Sequence, residues 1–367
     1  MSTNLNKLNN HSFFMNLALK QANKNMGNTD KNPSVGCVIT KNNELISAAS
    51  TSLNGRPHAE HNAINLSKTN LNQSNIYITL EPCSHYGKTS PCVNKIIKNK
   101  FKKVFFSVRD PDLRSYNKST AQLKKSKIDV NIGILSYPIS DFYRSYFLYK
   151  SEKLPFVTCK LAASKDFFTI NKKKKWITNF YSRSRVHLLR SYHDCIMTSS
   201  QTIIKDDSLL TCRINGLSDR SPTKIILDNK LKIPIKSKII KHNSKKKTII
   251  FYNKTNKKKI KLLKNLGITL YKIPLDINGD LDLVKILIKV KKLGFARILL
   301  ETGIKLTTSF FKKNLIHDFK LFISNVNLNS NGTGNIRTYY STFLKNKKAN
   351  IERVNLFGDK FISYRIK

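Results

Sequence analysis

Two stretches, "PHAEHNAI" at 57–64 and "LEPCSHYGKTSPC" at 80–92, decide how the first part of this chain folds. His58 and Glu60 open a predicted helix, behind Pro57 and a loop containing Gly55. A helix N-terminus lets such side chains converge on one point. Cys83 and Cys92 flank a loop that Pro82 begins at the end of a predicted strand, "NIYITL". One imidazole and two thiolates suit a tetrahedral zinc ion whose fourth position stays open, and an open position implies catalysis.

Working outward, the first 135 residues alternate helical and strand patterns. "SFFMNLALKQANK" spaces Phe13, Phe14, Leu17 and Ala18 for a helix. "SVGCVIT", "ELISAAS" and "KVFFSV" read as strands and "AEHNAINLSK" as a helix. This order predicts a three-layer α/β domain. An aromatic helix then gives way to proline in "DFYRSYFLYKSEKLPF", which sets domains at 1–150 and 151–367. A second α/β series follows. Its strands are "FVTCKLAAS", "DCIMTSS", "TKIILD", "TIIFY", "ARILLET" and "FKLFIS", with helices near 181–192, 281–292 and 305–314 and a helix and strand through "LLKNLGITLYKI".

The 367 residues carry a formal charge of +45, which by itself suggests a polyanion partner. Only 13 of the 67 basic residues are arginine, and asparagine and isoleucine abound. The charge is therefore assigned to an A+T-rich genome, and runs such as "NKKKKW" to solvated faces. No apolar stretch is long enough to span a bilayer, and "FFMNLAL" is short, interrupted by Asn16 and lacks a cleavage site, so a cytoplasmic location is expected. Six cysteines are too few for a disulfide scaffold. Cys37, Cys159 and Cys195 lie in apolar runs and Cys212 stands alone; all four read as core.

H-x-E followed by P-C and a second cysteine is the signature of zinc-dependent deaminases, with the glutamate as acid and base and not a ligand. Here "HAE" and "PC" match, but eight residues separate Cys83 from Cys92 where the signature has two. That long spacing, together with "NPSVGCVI" and "RDPD", resembles the deaminase half of the bifunctional riboflavin-biosynthesis deaminase/reductase. The similarity covers nearly the whole chain. It implies a cytidine-deaminase-like domain followed by a dihydrofolate-reductase-like α/β domain. It implies zinc-dependent hydrolysis of the 2-amino group of a phosphoribosylated diaminopyrimidinone, then NADPH reduction of the ribosyl group to ribityl.

By the same resemblance, His58, Cys83 and Cys92 are the zinc ligands and Glu60 the proton shuttle, with Asn32, His85 and Lys88 around the substrate and Asp110 at a specificity position. Thr51 stands where the family carries a histidine, so one substrate contact is expected to change. In the second domain "CKLAASKD", "WIT", "LLRSYHD", "TSSQTIIKDDSLLTCR", "IILD" and "LLETG" follow the reductase motifs in order. Ala163, Trp176, Thr202, Asp206, Asn229 and Gly303 would border NADPH; Lys160, Arg190, Leu210, Arg213 and Glu301 would border the ribosyl substrate, the two arginines sharing its phosphate. Phe167 and Phe168 replace a glycine and a basic residue, and Lys174 a serine, which leaves open a degenerate reductase. A tRNA adenosine deaminase is the rival reading; it shares "HAE" but has P-C-x-x-C and one domain. The expected partners are a small phosphoribosyl-pyrimidine and further copies of this chain, with no membrane and no nucleic acid.

Overall fold

The computed structural model describes residues 2–87, 89–243, 247–254 and 256–367. The chain divides into two compact units, Met1–Glu152 and Lys153–Lys367. Among the described residues no helix is long and apolar enough to cross a membrane.

The first unit runs α1 (Ser2–Lys24), β1 (Gly36–Lys41), β2 (Glu44–Ser50), α2 (Ala59–Leu66), β3 (Asn75–Leu80), α3 (Cys92–Lys98), β4 (Lys103–Val108), α4 (Lys118–Lys125), β5 (Asp129–Ile132) and α5 (Ser136–Ser151). The sheet order is β2-β1-β3-β4-β5. β1 pairs antiparallel with β2 and β3, while β3, β4 and β5 are parallel. Successive strand residues point to opposite faces, and β1 shows what that does. A Cβ on Gly36 would lie 1.8 Å from the carbonyl oxygen of Ala18, so only glycine lets α1 press on the sheet. Its neighbour Cys37 points the other way, towards Glu60 of α2. Helices thus cover both faces, the three-layer arrangement expected. A buried chain of hydrogen bonds pins the loop before β1: Gly36 N–H donates to Thr79 Oγ1 (3.0 Å), Thr79 and Tyr143 hydroxyls meet at 2.6 Å, and Tyr143 donates to Ser34 O (3.1 Å).

The second unit contains β6 (Phe156–Ala163), β7 (Phe168–Asn171), α6 (Phe180–Ser191), β8 (Cys195–Ser199), α7 (Ser200–Asp206), β9 (Thr223–Leu227), α8 (Lys238–Lys241), β10 (Thr248–Tyr252), α9 (Lys257–Asn265), β11 (Thr269–Lys272), α10 (Leu283–Lys292), β12 (Arg297–Glu301), α11 (Ile304–Lys312), β13 (Asp318–Ile323), β14 (Gly332–Asn335), α12 (Arg337–Phe343), β15 (Ala349–Ile351) and β16 (Lys360–Arg365). Its main sheet is ordered β11-β10-β9-β8-β12-β6-β13-β16-β15, and β7 and β14 form a separate ribbon. From β11 to β13 every pair is parallel; β16 and β15 close the edge antiparallel. Alternate residues feed two cores. Ile225, Phe251 and Leu300 face α10 and α11, whereas Ile226, Ile250 and Leu299 face α6, α7, α8 and α9. A sheet covered on both faces needs near-continuous apolar strands, which "IIL" at 225–227 and "IIFY" at 249–252 supply.

Candidate functional site

His58 is the N-cap of α2, Cys83 follows β3 after Glu81 and Pro82, and Cys92 opens α3. Nδ1 of His58 lies 3.5 Å from Sγ of Cys83 and 3.4 Å from Sγ of Cys92, and the three ligand atoms fall within 4.8 Å of one another. Bonds of about 2.3 Å to sulfur and 2.0 Å to nitrogen in a tetrahedron separate S and N by about 3.5 Å, so the triangle has the size zinc requires. Cys83 Sγ also accepts the backbone N–H of Cys92 at 3.3 Å. Hydrogen bonding from Cys92 pulls the Cys83 thiol down to about 4 against its burial, while the same contact, burial and Glu60 push Cys92 up. A divalent cation held by the two sulfurs would favour the thiolate at both.

Glu60 sits in the first turn of α2, 3 % exposed, with Oε2 buried and without a partner among the described residues. Burial raises its pKa to about 7, with the His58 charge pulling the other way. An acceptor held dry beside three ligands suits a water or an amine brought to the fourth position, so the donor set fits zinc and its shuttle.

The neighbouring side chains are placed by the loops around the triad. Nδ2 of Asn32 donates to the carbonyl of Gly55 (2.9 Å), which locks the segment leading to His58. His85 Nδ1 is 3.0 Å from the hydroxyl of fully buried Ser115, and burial with Arg114 lowers its pKa. Asp110 Oδ1 accepts Tyr146 O–H (2.9 Å) and Asp112 N–H (3.0 Å); burial raises its pKa to about 6. The backbone N–H of Asp110 reaches Oε2 of buried Glu81 (3.3 Å), whose Oε1 accepts Ser119 O–H. Ser115, Tyr146 and Glu81 escape sequence reading, because a lone serine or a tyrosine among aromatics carries no spacing signal. Thr51 is buried, with Oγ1 accepting Val35 N–H at 3.0 Å, so its hydroxyl is spent on the backbone. Lys88 lies outside the described residues.

In the second unit, Lys160 and Glu301 are register partners on β6 and β12. Arg190 of α6 reaches Glu301 through two parallel bonds, Nε–Oε1 2.7 Å and Nη2–Oε2 3.0 Å, and Nη1 donates to Thr211 O at 3.0 Å. Lys160 Nζ stands 3.7 Å from the same carboxylate. Burial would raise the Glu301 pKa, but Arg190 and Lys160 hold it at about 2. The expected sharing of a phosphate by Arg190 and Arg213 falls on two differently placed side chains. Three of the five guanidinium N–H groups of Arg190 are committed inside the protein, while Arg213 is exposed on the segment after buried Leu210.

Four of the residues expected at NADPH, Ala163, Thr202, Asn229 and Gly303, lie at or just after the C-terminal ends of adjacent parallel strands, where α/β sheets hold ligands. Ala163 ends β6; Thr202 Oγ1 is 3.0 Å from Ser199 Oγ at the end of β8 and 3.4 Å from Thr302 Oγ1 after β12. Asn229 follows β9, its Nδ2 donating to Gly279 O (3.3 Å) and its Oδ1 buried without a partner among the described residues. Gly303 caps α11, and among the described residues nothing beyond its own chain neighbours comes within 4 Å of where a Cβ would stand. Trp176 is exposed, with Arg183 and Lys175 over its ring at 5.1 and 5.4 Å, and Asp206 ends α7. The aromatic departures are absorbed locally. Phe167 takes the left-handed φ of 68° that glycine favours, and Phe168 covers Gly332, where a Cβ would stand 2.3 Å from its ring. Lys174 is exposed and its N–H donates to Asn171 Oδ1 at 3.2 Å.

Residues 8–108 match the family model of the cytidine and deoxycytidylate deaminase zinc-binding region, and residues 155–353 that of the RibD C-terminal domain. The riboflavin biosynthesis protein RibD of Aquifex aeolicus is 32% identical over 313 residues, covering 85% of this chain and 86% of that one. That of Buchnera aphidicola is 33% identical over 343 residues, with 85% and 86% covered. Among solved structures, Acinetobacter baumannii RibD superposes with a TM-score of 0.83 at 26% identity, over 98% of this chain and 99% of that one. A Thermotoga maritima protein described as a diaminohydroxyphosphoribosylaminopyrimidine deaminase/5-amino-6-(5-phosphoribosylamino)uracil reductase reaches 0.83 at 25% identity, with 98% and 99% covered. Neither a degenerate reductase nor a nucleic-acid deaminase is favoured by these matches. The chain belongs to the RibD family of riboflavin-biosynthesis proteins, as a bifunctional enzyme with a zinc-dependent deaminase and an NADPH-dependent reductase.

Proposed function

We propose that residues 1–150 hydrolyse the 2-amino group of 2,5-diamino-6-(5-phosphoribosylamino)pyrimidin-4-one, and that residues 151–367 reduce the resulting ribosyl group to ribityl. The observation that carries this reading is the His58, Cys83 and Cys92 triangle with a buried, unpartnered Glu60 oxygen beside it. Bound zinc supplies the Lewis acidity that activates a water for attack at the pyrimidine carbon. Glu60 takes the proton of that water and hands it to the departing amine, so that water and the amino compound become carbonyl product and ammonia. Asn32, His85 and Lys88 border the pyrimidine and its phosphate, and Asp110 keeps its carboxylate in place through Tyr146 and Asp112.

In the second unit NADPH supplies the hydride. Ala163, Trp176, Thr202, Asp206, Asn229 and Gly303 border the cofactor, and Lys160, Arg190, Leu210, Arg213 and Glu301 the sugar. The strand-end clustering of the first group and the ion cluster of the second support this division. The enzyme works in the cytoplasm as a homo-oligomer. Supplying purified protein with the diamino intermediate, with and without NADPH, tests the whole reading. It predicts deaminated ribosyl product without the cofactor and ribityl product with it; ribosyl product in both would contradict the second half.

A further inference from the structure

A cation stands beside the zinc triangle that neither the metal nor the shuttle uses. Arg56 is half-buried two residues before His58 on a clamped segment: Asn32 holds Gly55 O, and Ser52 N–H donates to Pro57 O at 3.0 Å. Its Nη1 donates to Thr89 Oγ1, and a Cβ at Gly87 would lie 3.1 Å from Nη2, so the guanidinium rests against the loop between the two cysteines. Among the described residues no carboxylate forms an ion pair with it. One of five N–H groups is used on Thr89, and the remaining fork matches two oxygens of a phosphate. Thr51, at the altered contact position, is committed to Val35 and cannot serve.

We propose that Arg56 is a substrate-recognition residue of the deaminase unit that binds the phosphate monoester of the sugar. The inference rests on the phosphorylated pyrimidine substrate proposed above. The fixed segment presents a pre-organised cation, so phosphate binding adds affinity at little ordering cost.

The test is steady-state ammonia release by the full-length, zinc-loaded protein from the diaminopyrimidine substrate and from its dephosphorylated form, for wild type, Arg56→Met and Arg56→Lys, with zinc content measured in each. Expected for Arg56→Met is a KM roughly tenfold to a hundredfold higher on the phosphorylated compound, the loss of one charge-assisted contact. Its kcat stays within about twofold, KM on the dephosphorylated compound is unchanged, and Arg56→Lys recovers part of the loss. An Arg56→Met enzyme that keeps the wild-type preference for the phosphorylated compound, or that loses equally on both, would overturn the assignment. Wild-type protein that deaminates neither compound would overturn the substrate reading and this inference with it.

Discussion

Arg190 and Glu301 face one another through two parallel hydrogen bonds, 2.7 and 3.0 Å, at the end of β12. Both side chains are nearly buried, so each charge depends on the other. Removing one partner of such a pair costs roughly 3–5 kcal/mol, because the remaining charge stays buried. Glu301→Gln is predicted to lower the denaturant midpoint of the second unit and abolish reduction while ammonia release continues. Chemical unfolding followed beside the two activities checks this; loss of both activities in folded protein would contradict independent sites.

The same pair sets an acid limit. Glu301 is held at about 2, below its unfolded value near 4.3, so its ionised form is favoured by folding. Its contribution is complete above about pH 4.3 and disappears as pH falls towards 2. Thermal melts between pH 6 and pH 3 are predicted to show a decline in wild type that Glu301→Gln largely lacks.

Asp110 has the opposite sign. Its pKa of about 6 lies above the unfolded value near 3.9, so folding favours the protonated form, and that advantage is lost as pH rises through 6. Asp110→Asn keeps an acceptor for Tyr146 and removes the buried charge. It is predicted to melt a few degrees higher than wild type at pH 8, with no gain at pH 4, and to bind substrate more weakly.

At Gly36 a methyl group would overlap the Ala18 carbonyl, so Gly36→Ala forces α1 away from β1. A cost of about 3 kcal/mol or more is expected for such a core clash. The variant should lose retained zinc and deamination and keep NADPH-dependent reduction.

Much of the arrangement is readable in the sequence because the strands are apolar on both faces and the ligands sit at element ends. "HAE" marks the start of α2 and "EPC" the end of β3, and the triangle forms where these ends meet the start of α3 at Cys92. β7, β14, β15 and β16 escape sequence reading: the first three are short, and the pairing of β16, such as Phe361 with Phe322, is decided across the chain. Arg190 illustrates the same limit. Its residue type suggests a phosphate, and only the fold shows that two of its donors go to Glu301 and a third to Thr211 O. Phe167 looks like a disabling change until its left-handed backbone and the glycine opposite Phe168 are seen.

The shuttle and the ligands separate by variant. Glu60→Gln is predicted to retain zinc and lose ammonia release by several orders of magnitude, whereas Cys83→Ser loses both. Persistent ammonia release from zinc-loaded Glu60→Gln protein would contradict the assigned proton transfer.

Zinc K-edge X-ray absorption on the purified, zinc-loaded chain tests the central claim most directly. One ion per chain is predicted, with two sulfurs near 2.3 Å, one nitrogen near 2.0 Å and one further light atom. A sulfur-free shell, or four protein ligands with no exchangeable position, would contradict a catalytic site built on His58, Cys83 and Cys92.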